Sequence, residues 1–314
     1  MTRQIGNSGI AVSPLCFGGN IFGWTIDETA SFRILDAFVD GGFNFIDTAD
    51  VYSRWVPGNQ GGESETILGK WFAQGGKRDR VVLATKVGYD MGAGRKGLSK
   101  AYILQAVEAS LKRLQTDRID LYQSHVDDAS TPLEETLETY QQLMKQGKVR
   151  AIGASNYSAE RLEQALSSNL PSNLPSYQCL QPLYNLYDRA DFEAALEGVC
   201  VKHNLAVIPY FALASGFLTG KYRSEADLAK YPRGGRVKKY LNERGLRILA
   251  ALDQVAKNRC AQPGQVAIAW MMARPSITAP IASATTIDQL KELLAATRLQ
   301  LDDAEIRSLN DASA

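Results

Sequence analysis

Three apolar segments of this chain each lead into a side chain able to move a proton or carry a charge. Phe43-Asn44-Phe45-Ile46 runs into Asp47-Thr48-Ala49-Asp50-Val51-Tyr52, which sets a carboxylate and a phenol close together. Val81-Val82-Leu83-Ala84-Thr85 ends in Lys86, and Ile119-Asp120-Leu121-Tyr122-Gln123-Ser124 ends in His125, one of 2 histidines in the chain. Acid, phenol, cation and imidazole at successive strand tips are the parts needed to reduce a carbonyl, because hydride at carbon must be matched by a proton at oxygen. Singly, each has an ordinary structural reading: Asp47 a helix cap or loop acid, Lys86 a solvated charge, His125 a satisfied structural imidazole. Their joint appearance at three strand ends favours the chemical reading.

Such a set needs parallel strands whose C-terminal ends meet. Short β-branched runs predict strands near 15–19, 44–49, 81–87, 119–125, 151–155, 178–183, 205–211 and 277–283. Amphipathic stretches predict helices near 28–40, 63–74, 99–114, 133–146, 158–166, 189–202, 262–273 and 286–295. The alternation predicts an α/β fold with a parallel sheet, and eight units predict a (β/α)8 TIM barrel with long loops at its C-terminal face. Arg3 to Val12 reads as a β-hairpin turning at Asn7-Ser8-Gly9, placed to plug one barrel end. No composition break appears, so 1–314 is expected to be a single domain.

Two segments interrupt the rhythm. Arg54 to Gly62 is rich in Gly, Pro and Trp and reads as a loop. Gly216 to Gly245 carries Lys221, Arg223, Lys230, Arg233, Arg236, Lys238 and Lys239, and reads equally as a solvated connector or a flap over an anionic cofactor. Gly92-Ala93-Gly94-Arg95-Lys96-Gly97 matches the dinucleotide pattern GxGxxG in letters alone. A true fingerprint turns directly from strand into helix, whereas Gly88-Tyr89-Asp90-Met91 intervenes here and the next helix is expected at Ser99.

The 35 basic and 34 acidic side chains among 314 residues leave no basic excess of the kind that nucleic acid or a membrane surface selects. Cys16, Cys179, Cys200 and Cys260 show no paired spacing, which fits reduced thiols in a cytoplasmic protein. The first residues lack the apolar core of a signal peptide, and no run is long and apolar enough to span a bilayer.

Several longer stretches carry a resemblance. Asn44-Phe45-Ile46-Asp47-Thr48-Ala49-Asp50-Val51-Tyr52, Gly62-Glu63-Ser64-Glu65, Lys148-Val149-Arg150-Ala151-Ile152-Gly153-Ala154-Ser155-Asn156 and Gly216-Phe217-Leu218-Thr219-Gly220-Lys221 resemble, in order and spacing, the aldo-keto reductases. The likeness runs from Phe17-Gly18-Gly19 to Ala279-Pro280-Ile281 and includes potassium-channel β subunits among its relations. It implies a (β/α)8 enzyme that binds a nicotinamide cofactor without a Rossmann fold, and a catalytic tetrad of Asp47, Tyr52, Lys86 and His125. In that set Tyr52 is the proton donor, its pKa of about 10 drawn down by Lys86. Asp47 pairs with Lys86 and offsets the cost of burying it, and His125 donates to the carbonyl oxygen.

The resemblance also implies cofactor contacts. Ser155, Asn156 and Gln181 match residues that bind the nicotinamide carboxamide, and Tyr210 the aromatic that stacks on the ring. Leu213, Gly216, Leu218 and Lys221 face the pyrophosphate. At the adenosine end this chain departs from pattern: Ser283 and Thr285 stand where many relatives have glycine and a 2′-phosphate-binding arginine. Thr285 with Asp288 reads as a capping pair, and Gln289 follows. Hydroxyls at a helix N-terminus can still hold phosphate, but a bidentate guanidinium is lost. NADPH is therefore the first expectation and NADH its rival.

Trp24 and Trp55, in loops at the expected pocket mouth, suggest apolar walls for aldehydes or aromatic ketones; Arg54 is expected to face solvent. The partner is then a small carbonyl compound, with neither nucleic acid nor membrane; nothing in the sequence bears on oligomeric state. Three other readings compete: a cofactor-binding sensor or regulatory subunit on the same barrel, a sugar dehydrogenase working mainly in oxidation, and an unrelated metal-dependent isomerase. Two histidines without clustered carboxylates argue against the last.

Overall fold

The computed structural model describes residues 2–167, 174–231 and 233–314; Met1, residues 168–173 and Pro232, all inside the expected 1–314 unit, lie outside them. The chain begins with β1 (Arg3–Gln4) and β2 (Ala11–Val12), an antiparallel hairpin. Then come β3 (Cys16–Gly18), β4 (Phe45–Asp47), β5 (Val82–Val87), β6 (Ile119–Ser124), β7 (Val149–Ser155), β8 (Cys179–Gln181), β9 (Ala206–Val207) and β10 (Ile281–Ala282). These eight are parallel, in the order β10-β3-β4-β5-β6-β7-β8-β9. The ends join where the Thr278 N–H donates to Val207 O at 2.8 Å and the Ile281 N–H to Pro209 O at 2.9 Å. The architecture is the expected (β/α)8 barrel.

Strand alternation sorts the side chains. Cys16, Phe45, Val82, Ala84, Leu121 and Ala151 point into the barrel, while Phe17, Ile46, Leu83, Tyr122 and Ile152 belong to the layer under the helices. Ile5, Ile10 and Val12 of the hairpin join the interior group and seal the N-terminal end. Arg3 fastens the seal by donating to the carbonyls of Ile277 at 2.6 Å, Thr278 at 3.1 Å and Met272 at 3.1 Å. The open C-terminal end is left for chemistry.

The helices are α1 (Glu28–Asp40), α2 (Glu63–Phe72), α3 (Lys100–Leu114), α4 (Leu133–Lys145), α5 (Ala159–Leu166), α6 (Glu197–Lys202), α7 (Gly234–Val237), α8 (Glu243–Asn258), α9 (Pro263–Met272), α10 (Ile287–Ala296) and α11 (Asp303–Ser313). The expected 189–202 helix is present as a helical run over 190–202 that carries a π-helical stretch, Phe192–Leu196, before α6. Loop geometry also separates Gly92-to-Gly97 from α3, whose N-cap is Ser99, so the glycine pattern is no phosphate cradle.

Three helices, the single turn α7 and the longer α8 and α11, were absent from the sequence expectation. The basic connector ends at Asn242 rather than Gly245, because the Asn242 side chain caps α8 by accepting from the Gly245 N–H at 2.9 Å. Gly245 is inside the helix: a Cβ there would lie 1.9 Å from the Tyr240 carbonyl, an approach only glycine allows. Buried Ile248, Leu249, Leu252, Val255 and Ala256 give α8 its helical period. The C-terminal α11 docks beside it, with Arg247 Nε donating to Ala312 O at 3.0 Å. Among the described residues no helix is long and apolar enough to cross a membrane.

Candidate active site

The tips of β4 and β5 bring two opposite charges together inside the barrel. Lys86 is wholly buried, at 0 % side-chain exposure, and its Nζ lies 2.6 Å from Asp47 Oδ2. The same ammonium donates to Thr48 O at 2.8 Å and to Tyr52 Oη at 3.2 Å, which uses all three of its protons. Asp47 Oδ1 in turn accepts from Gln181 Nε2 at 2.9 Å and Gln123 Nε2 at 3.2 Å. Burial lowers the Lys86 pKa, but Asp47 and the phenol outweigh it and push it up to about 12. A buried pair with its remaining hydrogen bonds filled holds its charges where they are placed.

The phenol departs from expectation. Burial raises the Tyr52 pKa, and the opposing pull of Lys86 lessens that rise without reversing it. Tyr52 therefore keeps its proton at neutral pH: Lys86 draws it toward the phenolate as expected, but burial outweighs that pull. His125 sits edge-on to it, with ring centroids 5.8 Å apart, and Tyr89 packs against the imidazole at 4.3 Å. Burial, then the Lys86 charge, hold His125 well below the usual imidazole range, so it is neutral. Its Nδ1 is buried without a partner, which leaves Nε2 as the nitrogen toward the cavity.

A cavity of about 880 Å³ opens over this cluster and is lined by Asp47, Tyr52 and His125 at one end. Lys86 lies beneath its floor and reaches it through Asp47 and Tyr52. Along one wall the Ser155 hydroxyl donates to Gln181 O at 2.7 Å, and Asn156 Nδ2 donates to His125 O at 2.9 Å. Tyr210 Oη donates to Asn156 Oδ1 at 2.8 Å, which fixes the Tyr210 ring at the edge of the cavity. With Gln181 Nε2 committed to Asp47, Gln181 Oε1 remains as an acceptor for an N–H donor, such as a carboxamide. Leu213, Gly216 and Lys221 continue the lining, and Gly216, at φ +97, makes room for the Lys221 ammonium. Leu218 does not: its side chain is in the hydrophobic core, because the turn folds its N–H back to Leu213 O at 3.2 Å.

The far end is lined by Ser283, Thr285, Gln289 and Glu292. Ser283 donates to Gly18 O at 2.7 Å. The capping residue of α10 is Thr286, accepting from the Gln289 N–H at 3.2 Å, in place of the Thr285–Asp288 pair expected. Thr286 has the extended backbone a cap requires, and the Gln289 side chain turns back to accept from the Thr285 N–H and hydroxyl at 2.9 and 3.0 Å. A dinucleotide fits this run of groups, from an amide acceptor beside the tetrad, past an ammonium, to hydroxyls and amides at a helix N-terminus.

Trp55 lines the mouth and is 39 % exposed, whereas Trp24 stands behind it, edge-on at 5.6 Å. Arg54 is exposed and donates to Asp90 O at 3.2 Å, away from the cavity lining. The sequence reading passed over Gln123, although it shares the inward parity of Leu121. It also passed over Tyr231 and Glu292, which no strand or helix period points to, whereas Arg233 and Arg236 of the basic segment do line the cavity. Among the described residues no three His, Cys, Asp or Glu are grouped to hold a metal.

The aldo/keto reductase family model matches residues 14–314. The chain is 37% identical to the uncharacterized oxidoreductase YrpG of Bacillus subtilis over 317 residues, 98% of this chain and 94% of that one. It is 30% identical to the aldo-keto reductase yakc [NADP(+)] of Schizosaccharomyces pombe, covering 99% and 91%. A probable voltage-gated potassium channel subunit beta of Arabidopsis thaliana is 32% identical, covering 92% and 89%. The barrel, its sealed base and the match along nearly the whole chain lead to one conclusion: the chain belongs to the aldo/keto reductase family and is an oxidoreductase dependent on a nicotinamide cofactor.

Proposed function

We propose that the protein reduces aldehydes or ketones to alcohols, reversibly, with Tyr52 as the proton donor. The observation that carries this reading is the single ammonium of Lys86, 2.6 Å from Asp47 and 3.2 Å from the Tyr52 hydroxyl. A nicotinamide held in the cavity would supply the hydride for the carbonyl carbon. Tyr52 gives its proton to the carbonyl oxygen, and the phenolate left behind is stabilised by the Lys86 charge next to it. Lys86 thus acts when the negative charge appears, which is when stabilisation speeds a reaction. Asp47 holds the ammonium in place. Neutral His125 donates from Nε2 to the same carbonyl oxygen and orients it.

Gln181 and Asn156 would receive the carboxamide, Tyr210 the nicotinamide face and Lys221 the pyrophosphate. At the adenosine end Thr285, Gln289 and Glu292 offer hydroxyl, amide and carboxylate with no cation among them. A 2′-phosphate gains no ion pair there, so NADH should be used at least as efficiently as NADPH. Initial rates of NADH and NADPH oxidation across aldehydes and ketones test both statements. Rapid turnover supports the reductase, and a strong NADPH preference would refute the cofactor reading. Absence of turnover with cofactor bound would refute the reductase itself.

A further inference from the structure

Behind the cavity, on the outer face of the sheet, a group of hydroxyls sits where apolar packing alone would suffice. Ser124 shares the outward parity of Tyr122 and is wholly buried beneath the helices. Its hydroxyl meets Tyr140 Oη of α4 at 2.8 Å and Tyr177 Oη at 3.0 Å, and Tyr177 Oη also meets Tyr157 Oη at 3.1 Å. The rings pack edge-on, Tyr157 on Tyr177 at 5.8 Å and Tyr140 on Tyr177 at 6.5 Å. Burial raises the pKa of all three phenols, so they hold one another as neutral hydrogen-bond partners.

Two of these residues adjoin the active site. Ser124 ends β6 and precedes His125, while Tyr157 follows Asn156, just past the end of β7. The β6–β7 register stops at Ser124 and Ala154, so His125 and Asn156 project beyond the pairs that would fix their spacing. Tyr177, shortly before β8, spans from one tip to the other with a single hydroxyl. On the cavity side the same tips are joined by Asn156 Nδ2, which donates to His125 O at 2.9 Å. The tie matters at Asn156, whose φ of +57 lies in the left-handed region that a non-glycine residue keeps where its surroundings hold it.

We infer that Tyr177 is a positioning residue: by bridging Ser124 and Tyr157 behind the barrel, it sets the spacing between His125, which orients the carbonyl, and Asn156, which would receive the carboxamide. This rests on the reductase reading and adds to it what keeps the carbonyl carbon within reach of the hydride. A misplacement of about 1 Å can slow a transfer roughly a hundredfold, so a bridge remote from the reacting atoms bears on the rate without touching them.

Removing single hydroxyls tests the bridge. Tyr177→Phe, Ser124→Ala and Tyr157→Phe each cut it, whereas Tyr140→Phe removes an equally buried hydroxyl and leaves it whole. Single-turnover reduction of an aldehyde by prebound reduced cofactor should slow about tenfold or more in Tyr177→Phe and match the intact enzyme in Tyr140→Phe. The cofactor Kd should stay within about twofold in both, and their urea midpoints should fall alike. Ser124→Ala repeats the test should Tyr177→Phe fail to fold. Combining Ser124→Ala with Tyr157→Phe should slow the step no further than the slower single variant, because both cut one bridge. Any result in which Tyr177→Phe is not slower than Tyr140→Phe overturns the inference, since a merely structural role would cost stability and leave the rate alone. Additive slowing in the double variant overturns it as well. If the intact protein reduces no carbonyl compound, the reductase reading fails, and hydrogen exchange at the backbone amides of 125, 156 and 157 still decides. Exchange about tenfold faster in Tyr177→Phe than in Tyr140→Phe supports the bridge, and equal exchange overturns it.

Discussion

Lys86 and the pair Arg233–Arg236 serve one cavity under opposite conditions. Lys86 has no exposure to solvent, and its counter-ion, Asp47, is built into the next strand. The arginines stand on the short helix α7 and its N-cap, with an aromatic ring beneath them and no carboxylate beside them among the described residues. A cation whose partner is supplied by the protein can be buried permanently and used to tune a neighbour. One whose partner is missing is completed by what binds. The first kind is fixed by strand register, and the second needs only to be within reach.

The most severe way to break this contrast is Tyr52→Phe. It removes the group Lys86 is placed to tune, and reduction should slow by roughly 10²–10⁴-fold in stopped-flow turnover while cofactor still binds. A surviving rate would leave Lys86 with nothing to act on. Asp47→Ala comes next, because it leaves Lys86 buried without its counter-ion. Urea unfolding should register a loss of about 3–5 kcal/mol. The exposed Arg236→Met should shift the same curve by no more than about 0.5 kcal/mol, so similar losses for the two would erase the distinction.

Thr285→Arg would place an unpaired cation at the far end of the cavity, in the manner of the arginine pair. The NADPH to NADH ratio of kcat/KM should rise about tenfold, the value of one charge-assisted contact. No change would mean that Thr285 does not face the ribose. A further test concerns an acid with neither arrangement. Asp50 is buried, its Oδ1 has no partner, and burial followed by the nearby Glu65 raises its pKa from 3.8 to about 8. The folded state therefore holds a proton that the unfolded chain releases between those values, so this group lowers stability as pH rises from about 4 to 8. Asp50→Asn should flatten that decline by about 1 kcal/mol per pH unit, measured by urea midpoints at pH 5 and pH 8.

Oxidation of an alcohol would show the same chemistry in its pH profile. Its rate should climb with pH as the raised phenol ionises, while reduction stays flat through neutrality.

How far the sequence carried depended on whether position along a strand fixes position in space. Asp47, Lys86 and His125 were legible because a parallel strand ending in a polar residue delivers it to one rim, and alternation decides which side chains point inward. Gln123 followed the same rule and needed only its parity to be read. The capping residue of α10 was missed by one position because two adjacent threonines are equally good caps, and only the extended backbone at Thr286 separates them. The stacking of Arg233 and Arg236 on Trp24 joins residues some two hundred positions apart. No local period encodes such a contact, since the loops that make it are set by the barrel rather than by their own sequence. Helix α8 was lost for a related reason: the search for repeating βα units had no place for it.

The sealed base has a consequence for biosynthesis. The ribosome releases Ile5, Ile10 and Val12 long before the groups that clamp them. Arg3 waits for the carbonyls of Met272, Ile277 and Thr278, and the Asn7 N–H waits for the Gln178 side chain, 2.8 Å away in the finished molecule. A hairpin of two-residue strands has little stability alone, so it must trail unpaired while most of the barrel is made. Vectorial synthesis thus leaves the stopper loose until most of the vessel exists, and the segment from the end of α9 toward β10 sets it.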